Sequence, residues 1–100
     1  MVDRLRVMEM EKLTSELSAR QKKIINATIP KDVRDAMEDE QKTEIFVQAA
    51  MRSPKKVIKL ETTLLDKLKG SKLQVQFLEE INSLNAAINE MFNTDLPIFD

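Results

Sequence analysis

The sequence predicts an all-α fold: an elongated helical hairpin or bundle of three to four helices with coiled-coil-like seams. Three observations carry that expectation. One glycine and three prolines in 100 residues leave too few turn residues for a set of tight β-hairpins or a barrel. Aliphatic residues recur at steps of three and four along several stretches, which is the period of one helical face. Aromatic content is 4%, with no Trp or Tyr, so the core must be built of Leu, Ile, Val, Met and Ala and held by close packing rather than by a few large anchors. The chain is 33% charged and 42% hydrophobic, which suits one modest helical core, and a single domain over 1–100 is expected.

The first helix is expected over 3–27, a span free of Pro and Gly in which Met10, Leu13, Leu17, Ile24 and Ala27 form a stripe broken only by Arg20. Glu16 and Arg20 stand four apart and would support that helix as an ion pair. Thr28-Ile29-Pro30 ends it, because a residue that precedes proline is pushed out of the α region. A second helix is expected over 31–52, although Glu38 to Glu44 contains no apolar residue, and two short helices that meet near Glu40 are the alternative.

The stretch 53–92 carries the plainest pattern. Ser53-Pro54 supplies a capping hydroxyl and a proline at the first helical position, and Val57, Leu60, Leu64 and Leu68 mark the buried face of a helix over 54–69. Gly70 suits the left-handed residue that closes such a helix. Ser71 with Gln74 has capping-box spacing and opens a helix over 72–92, along which Phe77, Ile81, Leu84, Ile88 and Met91 step by four and three. Residues 53–72 hold six Lys against Glu61 and Asp66, whereas 73–100 hold five acids and no base. The two arms are therefore expected to pair with complementary charge, each surface pair worth about 0–1 kcal/mol.

Residues 93–100 form a C-terminal tail, since Asn93-Thr94-Asp95 is turn-like and Pro97 stops a helix. Leu96, Ile98 and Phe99 either fold back on the hairpin or are offered to a partner as a peptide.

Enzymatic chemistry lacks its usual parts. There is no His for a neutral-pH base, no Cys nucleophile and no glycine loop for a phosphate, so no catalytic residue, cofactor or metal is expected. Glu79-Glu80 and Glu38-Asp39-Glu40 are adjacent acids that point apart on a helix, and they read as solvated faces. The absence of cysteine fits a reducing compartment such as the cytoplasm, and no apolar run is long enough to span a membrane.

Two short stretches resemble known peptides. Ser53-Pro54-Lys55-Lys56 resembles the Ser-Pro-Lys-Lys minor-groove peptides of linker histones and proline-directed kinase sites, which implies contact with nucleic-acid phosphate. Lys55 and Lys56 oppose the helix dipole, so capping does not account for them. Asp95-Leu96-Pro97-Ile98-Phe99 resembles the Gln-Leu-x-Leu-Phe peptides that dock on bacterial-type sliding clamps, with Asp in place of Gln.

The expected function is non-enzymatic oligomerisation or assembly, as an adaptor or scaffold that contacts itself and another protein. Leu13, Leu17, Ile24, Phe77, Ile81, Leu84 and Ile88 are the expected oligomer interface. The alternative is a small accessory factor in DNA transactions, of a viral DNA-packaging or clamp-associated type, with Lys55, Lys56 and Lys59 on phosphate.

Overall fold

A computed structural model describes residues 4–100. Residue 3, the expected start of the first helix, lies outside the described residues. The described residues form six helices: α1 (Arg4–Glu16), α2 (Ala19–Thr28), α3 (Lys31–Arg34), α4 (Asp39–Arg52), α5 (Pro54–Lys67) and α6 (Leu73–Phe92). The radius of gyration is 13.2 Å, and a compact domain of this length has about 13 Å. The helices pack compactly with extents of 47 × 29 × 23 Å, and they number six among the described residues where three to four were expected.

Two breaks account for the difference. The helix expected to run unbroken to Ala27 stops at Glu16, because Ser18 caps a new one. Ser18 Oγ accepts from the Gln21 N–H at 3.2 Å, and Gln21 Oε1 accepts from the Ser18 N–H at 3.0 Å, so two otherwise orphaned amides are satisfied at once. That break separates Glu16 from Arg20, whose guanidinium reaches Gln76 on α6 instead. In the middle segment two helices form where one was preferred. A single turn, α3, follows Pro30, and α4 starts at Asp39, where the Gln41 side chain accepts from the Glu38 N–H at 2.9 Å and Asp39 and Glu40 complement the helix dipole. Arg34 turns back to donate to the Asn26 carbonyl at 2.9 Å, satisfying the C-terminal end of α2.

The α5–α6 connection keeps its glycine signal, with Gly70 at φ +81°. Its caps differ from expectation. Ser53 makes no side-chain cap bond to α5, and the residue ahead of α6 is Lys72, also without one; Ser71 Oγ accepts only from the Leu73 N–H at 3.1 Å. Pro54 stands at the first position of α5 as expected.

Helix α2 is the centre of the packing, in contact with α3, α4, α5 and α6, while α1 lies on α4. The core comprises Met10, Leu13 and Leu17 from the first strip of chain, Ile24, Ile25 and Ile29 around α2, and Phe46, Val47 and Ala50 from α4. Val57 from α5, Ile81, Leu84 and Ile88 from α6, and Leu96 from the tail complete it. The apolar face of α6 is shared between α2 and α5, so it does not face one partner helix along its length. On α5 only Val57 and Glu61 are buried; Leu65 is half-buried against the core, and Leu60, Leu64 and Leu68 are half-buried outside it. The expected face is thus rotated, and a carboxyl stands in its middle.

Candidate functional site

The most unusual chemistry of the molecule lies under the C-terminal tail. Asn82, Asn85 and Asn89 follow Ile81, Leu84 and Ile88 by one residue each, so they flank the buried face of α6 at helical spacing. Asn93 ends α6 in the left-handed region at φ 54°, where a short amide side chain is tolerated, and turns the chain back along the helix. The tail then runs extended over the three asparagines.

Each amide grips main chain. Asn89 accepts from the Leu96 N–H at 2.7 Å and donates to the Leu96 carbonyl at 2.9 Å; the Thr94 hydroxyl donates to the same Asn89 oxygen at 2.7 Å. Asn82 holds Phe99 in the same manner, accepting from its N–H and donating to its carbonyl, both at 2.7 Å. Asn85 donates to the Pro97 carbonyl at 3.0 Å, and its own Oδ1 has no partner; Pro97 offers no N–H.

The second N–H of Asn85 goes down into the core, to Glu61 Oε1 at 3.0 Å. Glu61 is fully buried at 0% exposure, and its Oε2 has no hydrogen-bond partner. Among the described residues no cation lies within 4 Å of it; the ion pairs found are Lys22–Asp39 at 3.4 Å and Arg34–Asp35 at 3.7 Å. Burial raises the Glu61 pKa to about 7, against a smaller opposite effect of the Asn85 hydrogen bond. At neutral pH this carboxyl therefore exchanges between a neutral acid, which can donate, and a buried carboxylate.

The residues singled out in the sequence are distributed as follows. Leu13, Leu17, Ile24, Ile81, Leu84 and Ile88 are buried within one chain, and Phe77 is half-buried against the same core. They form the interior of the folded chain, so a second folded copy meets other residues first. Lys55, Lys56 and Lys59 are exposed on α5. The expected charge pairing with Glu79, Glu80 and Glu90 is absent among the described residues, and Glu80 instead accepts from the Ser18 hydroxyl at 2.7 Å. The tail folds back: Leu96 is 3% exposed and Phe99 packs against the core, while Ile98 stays in solvent.

A second feature lies beside α1. Leu5, Val7 and Met8 on α1 and Met51 on α4 are exposed apolar side chains. Arg4, Leu5, Arg6, Glu9, Met51 and Phe92 line an open depression of about 490 Å³ between α1 and the ends of α4 and α6.

Sequence reasoning missed Glu61, Asn82, Asn85 and Asn89. The asparagine spacing of three and four beside the apolar positions of α6 was visible as a pattern, but polar residues on a helix ordinarily face water. Among the described residues no helix is long and apolar enough to cross a membrane. Comparisons with protein-family models, curated proteins and solved structures found no match to this chain.

Proposed function

We propose that the protein is a non-enzymatic assembly module that acts through protein–protein contacts, joining copies of itself and binding a further protein as an adaptor. The observation that carries this reading is the exposed apolar surface of α1. Leu5, 73% exposed, and Met51 border a depression rimmed by Arg4, Arg6 and Glu9, and Met8 on the same helix is 63% exposed. Apolar side chains gathered beside charged ones at an open depression are the usual make-up of a contact surface. Methionine adapts its shape to a partner better than branched side chains do.

The association surface is thus assigned to the outer face of α1, because the apolar seams expected to join copies are filled within the chain. The test is mass in solution by sedimentation. The parent is expected above the 11.5 kDa of one chain, and Leu5→Asp with Met8→Asp is expected to return it to that mass with its helicity intact. A parent that sediments at one chain mass at all concentrations defeats the self-association reading.

A second reading rests on α5. Lys55, Lys56 and Lys59 are exposed and, among the described residues, carry no ion pair within 4 Å, in the first turns of a helix whose dipole they oppose. This supports phosphate contact in a DNA-transaction accessory factor. A mobility-shift titration at two salt concentrations decides it: three phosphate contacts give a slope of log affinity on log salt of roughly −3, and no shift at low salt removes the reading.

A further inference from the structure

The grip on the tail is a grip on peptide backbone. Asn82 and Asn89 each bind both the N–H and the C=O of one residue, Phe99 and Leu96 respectively, and Asn85 adds the Pro97 carbonyl. The spacing suits the task. Asn82 to Asn89 spans seven helical rises, about 10 Å, and Leu96 to Phe99 spans three extended rises, also about 10 Å. An extended chain that runs against α6 therefore meets one amide at each end whatever its side chains are. Side-chain choice enters only through Leu96, which is buried, and Phe99, which packs on the core.

The connection that delivers the tail in cis is short and passes through one left-handed residue. Only Asn93, Thr94 and Asp95 separate the end of α6 from the first gripped residue. Asn93 is the one non-glycine residue at positive φ among the described residues. Short connections favour exchange of a gripped segment between copies, because the exchanged state keeps every contact and frees the chain from the tight turn.

We propose that the α6 groove is a peptide site whose second occupant is residues 94–100 of another copy of this chain, so that copies are linked by exchange of tails. This rests on the reading of the protein as an assembly module and adds the segment that passes between copies. The cis tail competes at an effective concentration on the order of millimolar, so exchange grows with protein concentration and with any change that forbids the cis turn.

Asn93→Pro makes that change, since proline is confined to negative φ. Groove and tail are left intact, and the tail is expected to enter only a neighbour's groove. Sedimentation should then show twice the parent mass with helicity unchanged, and adding Asn89→Ala should return the parent mass. An Asn93→Pro chain that keeps its helicity and the parent mass overturns the exchange. An increase in mass that survives Asn89→Ala also overturns it, because the groove is then not what holds the copies together.

If Asn93→Pro loses its helicity, a dye-labelled 93–100 peptide titrated into the full-length Leu96→Ser chain decides the matter. Saturable binding that Asn89→Ala weakens at least tenfold supports the site, and no binding overturns it. The parent mass, measured alongside, tests the α1 surface separately, so either idea can fail alone.

Discussion

Two regions of this molecule invert the usual distribution of polar and apolar groups. Under the tail, Glu61 and Asn85 are fully buried among Val57, Ile81, Leu84 and Ile88. On the outer face of α1, Leu5 and Met8 lie in solvent. Burying a polar group costs free energy unless its hydrogen bonds are made, and Glu61 Oε2 and Asn85 Oδ1 lack a partner. Exposing an apolar side chain costs far less. The first region therefore holds its energy in a few directional contacts that single substitutions can remove, and the second holds unused surface that substitutions should alter without unfolding the chain.

The largest effect is expected where the α6 face meets α2 and α5. Leu84→Ala should lower stability by about 2–5 kcal/mol, because a fully buried leucine leaves a cavity; chemical denaturation measures it.

The next effect comes from Glu61 and depends on pH. The folded chain holds the Glu61 proton up to about pH 7, whereas the unfolded chain releases it near the ordinary carboxyl value of 4.5. Stability from this group is thus present in full below about pH 4.5 and is lost as pH rises toward 7, a change of about 3 kcal/mol in all. Glu61→Gln presents an amide in place of the acid and should flatten that dependence, gaining stability at pH 8 and little at pH 4. Parallel pH profiles for both chains would contradict the raised pKa.

Asn89→Ala should cost about 1–3 kcal/mol through the loss of three hydrogen bonds to the tail. Amide exchange of Leu96 should accelerate more than that of Ile24, because the tail opens before the core does. The smallest effect belongs to α1: Met8→Asp should shift stability by no more than about 0.5 kcal/mol while lowering the mass in solution. A large loss of stability there would place Met8 in the fold rather than on a contact surface.

Individual elements show where sequence was legible. The α6 face was readable from Phe77 to Met91, since five apolar residues at helical steps have one way to avoid water. Gly70 announced its turn because only glycine takes φ +81° without strain. The capping box at Ser18 was equally visible as Ser-x-x-Gln, yet an apolar stripe broken only at Arg20, in a span free of Pro and Gly, argued for a continuous helix. The box prevailed because it satisfies two amides locally and allows α2 to leave the line of α1 and reach α6. The expected attraction between the α5 and α6 arms formed no ion pair among the described residues, which suits the small worth of exposed pairs.

The sequence by itself determined an all-helical chain, the start of α5 at Pro54 and most of the buried face of α6, because periodicity, proline and glycine act over a few residues. Only the tertiary structure decided that the seams close within one chain, that Glu61 occupies a core position, and that Asn82, Asn85 and Asn89 turn their amides onto the tail. The physical reason is range. A helix face states that it must be covered, but which element covers it, and which polar groups are sealed beneath, depends on contacts such as Asn82 with Phe99, seventeen residues apart, that no local pattern encodes.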